Sequence, residues 1–381
     1  MNDFCLSIPT KIYAGRDCSL KLGGVAAATG ERTILVADSL LARSPILATI
    51  DEILKDRGIE SITCPQVEAG ATAKAIEGIM RTARAARCQT VIGIGGIRTL
   101  SAAKCVAAFS LSACDSSQDG DDTLDPYLDG KRPTSPPLAY IGIPTSCRDP
   151  FACTSGMLIV DPRNRTSRIL ERENFYPSAV FFDPELSGSL SETYFSAVVL
   201  ESLLSSVEGY LSTKSSLVSD TLLEKAFSLA YSSLEGITTG EKFNEFIPSI
   251  TGAGILQAMA FSTTGRGSGT AIAYAVNGRL LAPKVAVTAA IILPILGHSG
   301  IAGSERMEKL VSSSGSSYEA LITTVKRFVA LKNFSLRLQE LGIGKEDCAE
   351  IAATASAFPF MPYFPILNDP DELFAFLEAL L

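Results

Sequence analysis

Along the first half of the chain, apolar positions fall into two alternating rhythms: short β-branched runs, and longer stretches with apolar residues three or four apart. The runs Thr33-Ile34-Leu35-Val36-Ala37, Ser61-Ile62-Thr63-Cys64, Thr90-Val91-Ile92-Gly93-Ile94 and Ala139-Tyr140-Ile141-Gly142-Ile143 read as strands. Phe4 to Tyr13, Met157 to Asp161 and Ala179 to Asp183 read as further β segments. Helical spacing fills Gly15 to Thr29, Ile46 to Lys55, Thr72 to Ala86 and the alanine-rich stretch from Leu100 to Ala108. This alternation predicts a largely parallel sheet covered by helices. After Asp183-Pro184 the rhythm becomes mainly helical, over 189–212, 217–238, 247–262, 285–297, 314–341, 345–358 and 369–380, with Pro359, Pro362 and Pro365 in the last interval. The expected fold is an α/β domain over 1–184 followed by an all-α domain over 185–381.

Composition narrows the function classes. At 381 residues the chain exceeds a usual single core, which agrees with two domains. A formal charge of -8 argues against nucleic acid or an anionic membrane as the main partner. Nine cysteines lack metal-like spacing and read as thiols of a reducing compartment. No signal peptide is evident, and the apolar windows break before about 18 residues, so a cytoplasmic protein is expected. The acidic stretch from Asp115 to Asp129 and the prolines after it read as a loop, with a solvated surface favoured over a cation site.

Candidate chemistry starts at Gly95-Gly96, where a strand turns into a helix whose first N–H groups favour a phosphate or another anion. A glycine turn that merely packs a helix on a sheet is the competing reading. Asp38, directly after a strand, has the placement of a carboxylate that accepts from ribose hydroxyls, or of a helix cap. The single histidine, His298, borders a helix, and Ser146 and Cys147 lack a histidine base, so neither reads as hydrolase chemistry. Gly265-Arg266-Gly267-Ser268-Gly269 reads as a flexible interhelical turn, with Arg266 a candidate for a substrate phosphate or carboxylate.

Four landmarks carry a family resemblance: the strand, glycine pair and helix at 92–104, Ile143-Pro144-Thr145-Ser146, Phe182-Asp183-Pro184-Glu185-Leu186, and Ala286 to Pro294. From about residue 9 almost to its end, the chain resembles the iron-dependent, group III alcohol dehydrogenases, whose fold dehydroquinate synthases share. The resemblance implies a nucleotide-binding domain, a helical domain and NAD(P) between them. It assigns Asp38 to the ribose, NAD over NADP, and Gly95, Gly96, Arg98, Lys104 and Thr145 to the cofactor. Arg98 stands as a phosphate donor, or faces solvent or an acid; Lys104 serves the ligand, or snorkels at the surface. Departures from the family pattern are Ile97 for a glycine, Ser101 for an aspartate, and Cys147-Arg148-Asp149-Pro150-Phe151-Ala152 for a small, glycine-rich run.

The family's metal ligands, one aspartate and three histidines, correspond here to Glu201, Ser205, Thr270 and Lys284. Two alcohols and a lysine are poor ligands, so no iron or zinc is expected. Lys284 instead offers an ammonium in the vacated cation position, held by Glu201, with Ser205 or Tyr274 orienting a substrate oxygen. A structural ion pair left after loss of catalysis is the competing reading. The expected function is an NAD(P)-dependent oxidoreductase interconverting a small alcohol and its aldehyde or ketone without a divalent metal; the alternative is a noncatalytic small-molecule-binding or structural homologue. The resemblance is compatible with a homodimer formed through helical-domain contacts.

Overall fold

A computed structural model describes residues 4–42, 44–64, 72–112, 123–280 and 284–381. The chain forms two compact units, Ile8–Gly188 and Ser189–Leu381, with the short stretch before Ile8 grouped with the second. The first unit extends past residue 184 because Asp183 ties the chain there back to its beginning. Its carboxylate accepts from Glu185 N (3.2 Å), Asp17 N (3.1 Å), Ser19 N (3.2 Å) and Ser19 Oγ (2.7 Å).

The first unit runs β1 (Lys11–Ala14), α1 (Leu22–Ala27), β2 (Arg32–Ala37), α2 (Pro45–Lys55), β3 (Glu60–Cys64), α3 (Ala73–Ala85), β4 (Thr90–Gly95), α4 (Ile97–Phe109), α5 (Asp125–Leu128), β5 (Ala139–Pro144), β6 (Gly156–Asp161), β7 (Thr166–Glu171) and β8 (Ala179–Phe182). Six strands make one all-parallel sheet in the order β1-β8-β5-β4-β2-β3. Period-two alternation divides its apolar residues between two faces. Ile34, Val36 and Val91 pack under α3 and α4, whereas Leu35, Ile92, Ile94, Ile141 and Ile143 pack against Leu22, Ala26, Ile50 and Leu54 of α1 and α2. α4 is buried from Thr99 to Phe109, which its alanines allow by permitting close approach.

Three expectations need correction. The entering strand begins at Lys11, where pairing with Ala179 starts, rather than at Phe4. Met157–Asp161 stands outside the main sheet, because β6 pairs antiparallel with the unforeseen β7. The acidic stretch contains the short α5; residues 115–122 lie outside the described residues, while Asp129 and Asp161 both grip the guanidinium of Arg163 at 2.9–3.0 Å.

The second unit is helical: α6 (Glu192–Leu211), α7 (Leu217–Thr239), α8 (Ile247–Ala260), α9 (Ser268–Leu280), α10 (Lys284–Leu296), α11 (Glu305–Ser312), α12 (Tyr318–Leu331), α13 (Lys345–Ser356) and α14 (Pro370–Glu378). α6 starts where Ser191 Oγ accepts from Tyr194 N at 3.2 Å, and every residue from Phe195 to Leu211 is buried, as expected of a central helix. α9 and α11 were not anticipated from the sequence; α9 opens inside the glycine stretch read as a turn. Among the described residues, no helix is long and apolar enough to cross a membrane.

Candidate active site

In the first unit the chain runs from β2 outward to β3 and returns to β4 on the other side of β2. The carboxyl ends of β2 and β4 therefore flank a topological switch point, the place where open parallel sheets bind ligands. Asp38 follows β2 and its N–H donates to Ile94 O at 3.0 Å; Thr145 follows β5 and its N–H donates to Gly95 O at 3.0 Å. Asp38, Gly95, Gly96 and Thr145 thus lie on three adjacent strand ends.

The two glycines have different causes. Gly95 has φ +152, and a Cβ there would stand 3.0 Å from the Cβ atoms of Asp38 and Thr99, so the protein itself requires glycine. Gly96 has φ -84, open to any residue, and a Cβ there would meet only Ser146 Oγ at 3.9 Å. Its bare face is open space at the first turn of α4, whose N–H groups have no intrahelical acceptors. An anionic ligand fits there. Asp38 caps the next turn, accepting from Leu40 N at 3.1 Å, which is the capping reading of the sequence. Ile97 and Arg98 are half-buried on the same first turn of α4.

Lys104 is not a surface lysine. It is 2% exposed, and its ammonium donates to the carbonyl oxygens of Phe151, at 3.0 Å, and Thr154. One turn earlier, Ser101 Oγ accepts from Leu158 N at 3.1 Å. Lys104 therefore holds the end of the segment that replaces the expected glycine-rich run, which is itself buried from Cys147 to Cys153, and Ser101 holds β6 just beyond it. Within it Asp149 accepts from Phe151 N at 2.9 Å and Cys147 takes the left-handed φ of 65.

In the second unit the four predicted catalytic residues come from three helices. α6 supplies Glu201 and Ser205, one turn apart; α9 supplies Tyr274; α10 begins with Lys284. The Lys284 ammonium pairs with the Glu201 carboxylate and lies 5.2 Å from the Tyr274 ring centroid, with side-chain exposures of only 13% for Lys284 and 8% for Glu201. Ser205 and Tyr274 are buried. An ammonium between a carboxylate and an aromatic face is a fixed positive charge, suited to an oxygen that gains negative charge.

This donor set does not fit iron or zinc. The Lys284 nitrogen is engaged with a carboxylate, and Thr270 Oγ1 donates to Glu208 Oε2 at 2.5 Å instead of offering a lone pair inward. Among the described residues, no group of three or more His, Cys, Asp or Glu side chains is placed to hold a metal.

Glu208 was missed at the sequence level. Its spacing was the available signal, since 201, 205 and 208 fall on one face of α6. The carboxylate accepts from Thr270 N at 3.0 Å and from Thr270 Oγ1, with the backbone of Gly267 and Gly269 favouring its charged form. Burial raises its pKa, and these bonds pull it back. The glycine turn therefore does bind an anion, but the anion is the protein's own. Arg266 is buried, stacked 4.8 Å from the Phe261 ring and 5.9 Å from that of Phe360. His298 follows α10, its Nδ1 accepting from Gly300 N at 3.2 Å.

Comparison with known proteins agrees with this architecture. Residues 9–184 match the family model described as iron-containing alcohol dehydrogenase, and residues 197–379 match that of the Fe-containing alcohol dehydrogenase family, C-terminal. The 1-propanol dehydrogenase PduQ of Salmonella typhimurium is 25% identical over 317 residues, 83% of this chain and 79% of that protein. Two solved structures share the fold. The archaeal halo-thermophilic Red Sea brine pool alcohol dehydrogenase ADH/D1 superposes with a TM-score of 0.87 at 18% identity, covering 100% of both chains. The sulfoacetaldehyde reductase of Bifidobacterium kashiwanohense, solved in complex with NAD+, has a TM-score of 0.83 at 17% identity, covering 100% of this chain and 99% of that one.

Proposed function

The chain belongs to the iron-containing alcohol dehydrogenase family, and from that premise we propose that it is an NAD(P)-dependent oxidoreductase of a small alcohol and its aldehyde or ketone, with Lys284 in the role the family gives a divalent metal. The observation that carries this reading is the Lys284 ammonium held by Glu201 beside the Tyr274 ring, and the family resemblance, which implies metal ligands at positions 201 and 284, supports it. Bound NAD(P)H supplies the hydride to the carbonyl carbon. Lys284 stabilises the charge that builds on the carbonyl oxygen, and an ammonium N–H, or a water bound to it, delivers the proton that completes the alcohol. One ammonium can hold a carboxylate and a substrate oxygen together, because it has three N–H donors. Glu201 holds the ammonium in place, and Ser205 and Tyr274 orient the oxygen.

On the α/β unit, the α4 first turn and the bare face of Gly96 suit the pyrophosphate, with Arg98 and Thr145 at its sides. Asp38 suits the ribose hydroxyls and disfavours an added phosphate, so NADH is expected to bind more tightly than NADPH. Lys104 contributes by fixing the 147–154 segment. We place the enzyme in the cytoplasm and propose a homodimer as its assembly.

The burial of the 147–153 segment favours a second reading, a homologue that holds a small molecule without turning it over. Calorimetric titration of chelator-treated protein with NADH and NADPH, followed by a carbonyl screen read by nicotinamide absorbance, separates the two. Binding with chelator-insensitive turnover supports the reductase; binding without turnover supports the second reading; a folded sample that binds neither nucleotide sinks the first.

A narrower test uses Gly96→Val. The site has no protein atom in its way, so the folding midpoint should fall by no more than about 2–4 °C, the cost of a poorer helix cap. NADH affinity should fall roughly tenfold or more, because the branched side chain fills the face that the pyrophosphate approaches. Unchanged affinity would remove the cofactor from α4.

A further inference from the structure

Glu208 and Glu201 lie seven residues apart on α6, so one face of that helix presents two carboxylates two turns apart. Glu201 holds Lys284, the first residue of α10. Glu208 holds the first turn of α9 by two donors, the hydroxyl and the N–H of Thr270. The approach is close: a Cβ on Gly267 would lie 2.7 Å from Glu208 Cγ, and one on Gly269 would lie 2.7 Å from Leu204 and 2.6 Å from Ile295 of α10. Tyr274 lies one turn beyond Thr270, and its ring lies beside the Lys284 ammonium.

We infer that Glu208 is a positioning residue, an internal anion in a backbone nest that fixes the height and rotation of α9 and thereby sets Tyr274 against Lys284. This rests on the proposed reduction at Lys284. Glu208 touches no reacting atom. Its effect passes through Thr270 and one turn of helix, and α6 thus aligns both partners of the ammonium from a single rigid element.

The test uses the full chain carrying Glu208→Gln, which keeps the shape but turns an amide N–H₂ toward donors, and Glu208→Ala, which opens the nest. In Glu208→Gln, kcat for carbonyl reduction should fall roughly 10–100-fold, as expected for a misplacement of about 1 Å, with NADH affinity unchanged. A second readout does not depend on activity. Labelling of Lys284 by an amine reagent, followed by peptide mass spectrometry, should quicken, while Lys332, equally 13% exposed and paired with Glu192, should label as in the parent. Acetate added to Glu208→Ala should restore both readouts saturably, and acetamide should restore neither. If Glu208→Gln does not fold, Glu208→Asp withdraws the same charge by one methylene and is expected to move both readouts in the same direction.

Parent-like kcat and Lys284 labelling in a folded variant would overturn the inference, as would equal quickening at Lys284 and Lys332, which marks general loosening. A parent protein that turns over no carbonyl defeats the reductase reading instead, and the labelling arm alone then decides the role of Glu208.

Discussion

Replacing Lys284 with methionine is expected to lower the turnover of carbonyl reduction by about 10²–10³-fold, the range seen when one fixed donor to a developing oxyanion is lost. Methionine keeps the stem and its packing but removes the charge above Tyr274. NADH affinity should stay unchanged. The variant also takes the ammonium from the Glu201 carboxylate, whose side chain is only 8% exposed, at a cost of roughly 3–5 kcal/mol. Stability and chemistry separate in the paired variant Lys284→Met with Glu201→Gln, which should regain most of the lost folding midpoint and none of the turnover. Parent turnover should survive a strong chelator. If chelation abolishes it and ferrous iron or zinc restores it, the ammonium does not do the work assigned to it.

The second large effect is expected at Lys104→Met. Burying an ammonium is tolerated here because two loop carbonyls, those of Phe151 and Thr154, receive it. Methionine leaves both oxygens buried without that donor, which costs about 3 kcal/mol. In a unit of this size, that lowers the unfolding midpoint by roughly 6–12 °C, measurable by calorimetry. The 147–154 segment should lose amide hydrogen-exchange protection while the β4 amides keep theirs. A variant with a parent-like midpoint would show that the loop is held by its own packing.

The two lysines show what the sequence could and could not yield. Lys284 and Glu201 drew attention because the family resemblance implies metal ligands at their positions, and the fold brings the two side chains together. Lys104 was read as serving a ligand or snorkelling, since most lysines keep their charge in water. Its actual acceptors lie some 50 residues away, in a loop whose course local pattern does not fix. α9 was missed for a related reason. Gly265 to Gly269 has the composition of a turn, and the Glu208 carboxylate that receives the first turn of α9 comes from α6, some 60 residues earlier. The parallel sheet, by contrast, was legible strand by strand because β-branched runs with period two have few other solutions. β7 lacked that signal, its first half being Thr166-Ser167-Arg168, and it pairs antiparallel with β6.

The place of β1 at the sheet edge, with β8 as its neighbour, bears on how the protein is made. β1 leaves the ribosome well before its partner, which follows roughly 170 residues later, on the order of 10–30 s of synthesis. Throughout that interval it is an orphan strand beside every other nascent copy. Its four residues, opening with an exposed Lys11 and never fully buried even in the finished sheet, make too short an edge to template pairing with a neighbouring chain. The order of synthesis thus favours a weak first strand, and lengthening it with apolar residues should increase aggregation during translation before it changes the stability of the completed fold.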